Sequence, residues 1–353
     1  MAYTDIDNPE LYFQCKIYTG NATDDTAITL DGDENMQPDW VWIKDRTNGN
    51  HHRIYDSVRG ATKAIYSSLN YAEGTASDGL KSFNSDGFTL GDGSDENGDN
   101  ANLVSWCWKA GTTGSGTSTG SGTGKAYSYS VSTDAGFSIV SFIGNGTAAH
   151  TIPHHLGVTP KVIILKARGA NQNWRVFHHS LGSDKRLILD STNASEDAGF
   201  LNDTDPTSTV FTLGASDDAW NADDATYIAY CFAEKQGYSK FESYTGNGDA
   251  DGTFVYTGFS PSFVLLKETS NANNFMIFDN KRSPFNLMDD FISPDIADAE
   301  STGNANNRMD MLSNGFKIRG SGTATNRSGS NFIYMAFAEN PFTTSTGVPA
   351  TAR

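Results

Sequence analysis

Three lysines occupy one place in a recurring pattern. Lys44 closes Pro38-Asp39-Trp40-Val41-Trp42-Ile43-Lys44, Lys166 closes Pro160-Lys161-Val162-Ile163-Ile164-Leu165-Lys166, and Lys267 closes Pro261-Ser262-Phe263-Val264-Leu265-Leu266-Lys267. An amine held three times at equivalent positions could serve three equivalent anion sites. A lysine at the end of a buried strand can instead lay its stem along apolar surface and put its amine into water. The second arrangement is the expectation here.

Histidines offer metal ligands and general bases, and here they come in neighbouring pairs: His51-His52, His154-His155 and His178-His179. Adjacent residues of a strand face opposite ways, and the pairs fall at different places in the pattern, so no zinc or catalytic role is expected. Asp92-Gly93-Ser94-Asp95-Glu96-Asn97-Gly98-Asp99 has the composition of a calcium loop. Counted from Asp92, glycine falls at position seven where an EF-hand needs it at six, and position twelve is Leu103 in place of Glu. An acidic hairpin loop is expected instead. Cys15, Cys107 and Cys231 form no C-x-x-C pair and read as buried packing.

No G-x-S-x-G elbow, Walker or dinucleotide fingerprint occurs, and no carboxylate pair can be singled out for glycoside hydrolysis. No catalytic, cofactor-binding or metal residue is nominated, the ligand-binding residues stay unassigned, and the chain is expected to be neither an enzyme nor dependent on a cofactor. Asn145 and Asn193 head glycosylation sequons, which matter only on a eukaryotic secretory route.

The elements that would position these residues are strands. Eleven residues beyond each lysine stands an aromatic, Tyr55, Phe177 and Phe278 (55−44, 177−166, 278−267). Ten residues further come Ile65, Leu187 and Met288. Each unit opens on Tyr18-Thr19-Gly20-Asn21, Phe142-Ile143-Gly144-Asn145 or Tyr244-Thr245-Gly246-Asn247 and closes on an aromatic strand ending Trp108, Phe232 or Phe337. Apolar runs of four to seven residues, broken by Gly, Asn and Asp clusters and lacking helical periodicity, indicate an all-β chain. Its expected form is three tandem antiparallel β-sandwich units of jelly-roll or lectin-like type. The run after each proline is continuously apolar, so Trp42, Ile164 and Leu265 are expected in equivalent strands covered on both faces.

The boundaries follow from the repeat: unit one over 1–110, unit two over 125–235, unit three over 236–342, and a C-terminal tail over 343–353. Residues 111–124, all Gly, Ser and Thr, read as a flexible linker. Units two and three, with little between them, are expected to pack rigidly.

Across 353 residues, 25 Lys and Arg stand against 42 Asp and Glu, giving −17. No basic run interrupts that background, so nucleic acid is not an expected partner. No stretch approaches the ~18 apolar residues of a membrane span, and the N-terminus lacks the basic and apolar regions of a signal peptide. A non-exported chain with no membrane partner is the expectation.

The segments Tyr12-Phe13-Gln14, Pro38-Asp39-Trp40-Val41-Trp42-Ile43-Lys44-Asp45-Arg46, Asp56-Ser57-Val58-Arg59-Gly60, Ser82-Phe83-Asn84-Ser85-Asp86-Gly87-Phe88, Val104-Ser105-Trp106-Cys107-Trp108-Lys109-Ala110, Ala338-Glu339-Asn340-Pro341-Phe342 and Gly347-Val348-Pro349-Ala350-Thr351-Ala352-Arg353 stand out as a set. Together they resemble a repeated domain in virion proteins of tailed bacteriophages, marine ones especially. The resemblance brings no catalytic residue with it. It implies a virion location and a structural or adhesive part in the tail or fibre that presents lectin-like modules to the host surface. Capsid decoration is the alternative and a carbohydrate-active enzyme the minor one. The expected partners are other virion proteins and a host surface glycan or protein, with the chain homo-oligomeric or present in multiple copies per particle. Units two and three depart from the pattern at Trp-Val-Trp and Asp-Ser-Val-Arg-Gly, so any role tied to those residues is assigned to unit one alone.

Overall fold

The structure, a computed structural model, describes residues 3–350; the Thr351-Ala352-Arg353 end of the last motif lies outside them. The chain is all-β, built from antiparallel sheets with two four-residue helices at Ser94–Asn97 and Thr323–Asn326.

One strand order recurs three times. In the first repeat the larger sheet runs Phe13–Thr19, Asn102–Trp108, Trp40–Asp45, Arg53–Asp56. The third repeat gives Ser239–Thr245, Asn331–Pro341, Phe259–Glu268, Met276–Asp279, and the second gives Phe137–Ile143, Thr226–Phe232, Val162–Ala167, Arg175–His178. Each is accompanied by a smaller three-stranded sheet built around the pairs Thr26–Thr29 with Gly87–Leu90, His150–Pro153 with Val210–Leu213, and Phe254–Tyr256 with Gly315–Ile318.

The continuously apolar strands serve two cores at once, because successive side chains of a strand point to opposite faces. Val41 and Ile43 pack within the first repeat, Ile163 and Leu165 within the second, Val264 and Leu266 within the third. Their neighbours Trp40, Trp42, Val162, Ile164, Phe263 and Leu265 all enter one further cluster, to which every repeat contributes. Trp42, Ile164 and Leu265 are buried as expected, but in this shared core. The three repeats therefore turn their larger sheets toward one another.

Two sequence expectations are corrected here. Residues 111–124 carry strands, Thr112–Thr117 and Thr119–Gly120, where a flexible linker was expected. The first pairs in register with Ala126–Ser132, extending the second repeat's sheet to six strands. Gly114 faces Tyr129 and Gly116 faces Tyr127 across the ladder, so tyrosine rings cover the two positions that lack side chains. The second correction concerns Met288. Ile65 and Leu187 bridge back to Ile54 and Val176, whereas Ile277 is bridged by Ile292, because the third repeat carries four extra residues in that loop.

Candidate functional site

The repeated lysines lie where each strand of the shared core ends. Lys44, Lys166 and Lys267 continue the face of Trp42, Ile164 and Leu265, so their stems run toward the neighbouring repeat and all three are fully buried. None puts its amine into water, and none holds an anion site open. Each Nζ donates to the carbonyl six residues further on, Asn50 at 2.8 Å, Gln172 at 2.6 Å and Asn273. Each also donates across an interface: Lys44 to Ala297 at 3.1 Å, Lys166 to Asn70 at 3.0 Å, Lys267 to Thr192 at 2.9 Å. The direction is cyclic, first repeat to third, second to first, third to second. Burial pushes each amine down to about 8. The lysines tie the repeats together through main-chain acceptors.

The same cycle recurs in the main chain. Glu300 N–H donates to Arg46 O at 3.0 Å, Glu73 to Arg168 O at 2.8 Å, and Ser195 to Thr269 O at 2.9 Å. At two of these three corners a charged network is laid over that bond. Asp56 holds Arg59, whose guanidinium reaches Glu73 at 3.2 Å, and Glu73 takes Arg168 of the second repeat at 2.9 Å. Tyr230 of the second repeat donates to Asp56 at 2.7 Å. The counterpart network joins Asp279, Arg282, Glu300 and Arg46, with Trp106 Nε1 donating to Asp279 at 2.9 Å. Unit three thus keeps the Asp and Arg that the sequence reading assigned to unit one alone; the offset 279−56 equals 282−59. At the third corner the corresponding residues are His178, Leu181, Ser195, Thr269 and Met335, and none forms an ion pair among the described residues. All five polar positions change together, as expected if each charge is tolerable in the interior only with its partners.

A third repeated device escaped the sequence reading. Asn97, Asn221 and Asn326 lie ten residues before Cys107, Cys231 and Ala336, inside loops otherwise free to vary. Each is fully buried. Its side-chain oxygen accepts from the main chain of Asn21, Asn145 or Asn247, and its amide donates to Gly91, Gly214 or Gly320. The opening glycines permit this contact: a Cβ on Gly20, Gly144 or Gly246 would lie 2.2, 2.3 or 2.5 Å from a carbonyl oxygen.

The remaining candidates are absorbed in packing. Residues Ser94–Asn97 of the acidic loop form a helical turn in which Asp95 pairs with Arg53 and buried Glu96 accepts from the Tyr55 hydroxyl. Desolvation raises the Glu96 carboxyl above its ordinary value. His52 accepts from Trp42 Nε1 at 2.9 Å and contacts Ser293 O at 3.1 Å, and burial holds it well below the usual imidazole range. Burial pushes His154 down to about 4 and His178 down to about 3. His51 contacts Ser68 Oγ, and His155 stacks on Tyr129 with centroids 3.7 Å apart. All three cysteines are free and buried. One histidine does stand among carboxylates: ligand atoms of His179, Glu234 and Glu242 lie within 4.8 Å of one another. Lys240 Nζ already stands 3.4 Å from both carboxylates, and the His179 Nε2 that faces Glu242 is held at 2.6 Å by Phe241 O, so a metal would have to displace an ammonium group and a main-chain hydrogen bond.

One buried carboxyl makes a pH test possible. Burial pushes Asp295 up to about 7 against the opposing charge of Lys267. Between about pH 4 and 7 this carboxyl holds a proton in the folded chain that it has lost in the unfolded chain, so its own contribution to stability falls as pH rises through that window. Asp295→Asn removes this term, of order 4 kcal/mol at neutral pH by linkage. Buried His52, His154 and His178 contribute the opposite slope, so the rise in urea midpoint from pH 5 to pH 8 should be larger in the variant than in the parent. An unchanged pH slope would mean that the carboxyl titrates normally.

The geometry defines an all-β protein in which three repeated strand sets share one core and are tied cyclically by lysines. The domain of unknown function DUF7483 matches residues 8–341, and the chain belongs to that family. No curated protein and no solved structure matches it.

Proposed function

We propose that each larger sheet and its smaller partner form one antiparallel β-sandwich unit, and that the three together make a non-enzymatic structural or adhesive protein of a tailed-bacteriophage virion. In this reading the protein belongs to the tail or fibre and presents lectin-like surfaces to the host. The observation behind it is where the repeat spends its shared residues. Lys44, Lys166 and Lys267 and the three buried asparagines bind main chain, and the shared apolar positions fill cores. Divergence is left to outward loops, which is where a scaffold carries recognition.

Capsid decoration is the second reading, favoured by the shared core. Three units locked around one cluster make a compact block suited to gripping a shell, where an extended adhesin would string its modules out. At −17, anionic polysaccharide is a poor partner, and neutral glycan or protein surfaces are better ones. Incubation of the purified chain with host envelope polysaccharides and, separately, with phage capsids separates the classes. Retention on polysaccharide without release of sugar is expected of an adhesin. Tight capsid binding without retention would replace it with decoration, and released sugar would replace both with an enzyme.

A further inference from the structure

The hairpin formed by Thr112–Thr117 and Ala126–Ser132 has no counterpart in the larger sheets of the other two repeats. It ends the six-stranded sheet in an open edge. The other outer edges are guarded. Lys16 lies on Phe13–Thr19, and Lys240 and Glu242 lie on Ser239–Thr245, whereas Arg53–Asp56, Arg175–His178 and Met276–Asp279 are flanked by the bridges to Ile65, Leu187 and Ile292. Thr112–Thr117 has no charge, no proline and no register shift against its partner, and no strand of the described residues pairs with its other side. Such an edge is a template for another strand.

Its sequence says which strand fits. Thr113-Gly114-Ser115-Gly116-Thr117 reads the same in both directions. Antiparallel pairing with a second copy about a twofold axis through Ser115 therefore sets Thr113 against Thr117, Gly114 against Gly116, and Ser115 against itself. A twofold contact must be self-complementary, and this segment is. Thr113, Ser115 and Thr117 are exposed, while Gly114 and Gly116 lie under the Tyr129 and Tyr127 rings, so no side chain obstructs the approach. We propose that this edge is a homodimer seam, joining two six-stranded sheets into one of twelve strands. The proposal does not rest on the adhesive reading.

The seam is short and the chain carries −17, so the dimer is weak at low salt and strengthens as salt screens the repulsion. Sedimentation velocity of the full chain, across a concentration series in low and high salt, should show a monomer–dimer equilibrium shifted toward dimer by salt. Ser115→Lys, at an exposed position, sets two ammonium groups face to face across the axis and should leave monomer only, with an unchanged melting curve. Directly opposed antiparallel residues have Cα atoms about 4.5–5.5 Å apart, within disulfide reach. Ser115→Cys should therefore cross-link to itself on mild oxidation, while Thr117→Cys alone should not; the native cysteines are buried. A monomer at every concentration and salt, or equal cross-linking at 115 and 117, would overturn the seam.

Discussion

Trp40→Ala is expected to destabilise the whole protein by about 3–5 kcal/mol, the range for truncating a fully packed aromatic. The ring belongs to the first repeat, yet most of its company is elsewhere. Its centroid lies 4.6 Å from Trp108, 4.7 Å from Tyr230, and 5.8 Å from both Phe137 and Phe232. A cavity there strips contacts from two repeats at once, so urea unfolding should remain a single transition moved to lower denaturant. Val41→Ala is the control, because Val41 faces only the core of its own repeat. A loss under about 1 kcal/mol, or separate melting of the first repeat alone, would show that the shared core does not unite the molecule.

Asp56→Ala should be comparably severe, costing about 3–5 kcal/mol, since it strips a buried guanidinium of its nearer carboxylate and leaves only Glu73 at 3.2 Å. Asp56 and Arg59 are both fully buried at their side chains, and Tyr230 would lose its acceptor as well. The protein contains its own remedy. Transplanting the neutral corner by Asp56→His, Arg59→Leu, Glu73→Ser, Arg168→Thr and Tyr230→Met replaces every member of the network together. That variant should recover most of the stability lost in Asp56→Ala, as replacement of a complete buried ionic cluster by apolar packing can do. Chemical denaturation of the two variants side by side measures it. Equal instability would mean that the coordinated change at the third corner has another cause.

Much of the fold was legible from spacing alone. The strict distances from Lys44, Lys166 and Lys267 to Tyr55, Phe177 and Phe278 located one central strand and the edge strand beside it in every larger sheet. The candidate site was less legible. The lysines were visible as repeats, but their partners Ala297, Asn70 and Thr192 are main-chain carbonyls 253, 96 and 75 residues away, and a carbonyl leaves no mark in a sequence. The asparagines carried a signal that was overlooked, a constant ten-residue offset hidden in loops of otherwise differing composition.

Residues 111–124 show the opposite limit. Their composition lacks any side chain able to pack, which describes a flexible chain correctly so long as nothing covers it. Tyr127 and Tyr129 cover it, and with backbone hydrogen bonds supplied by Ala126–Ser132 the segment becomes a strand.

By itself the sequence determined the all-β class, the repeat and the strands covered on both faces, because these follow from local periodicity and from which residues recur. Only the tertiary structure decided that the three strand sets share one core, that each lysine binds a carbonyl of the preceding repeat in the cycle, and which corner lacks charge. Those outcomes depend on which faces meet across long separations in the chain, and strand periodicity fixes that a face is apolar without naming the surface that buries it.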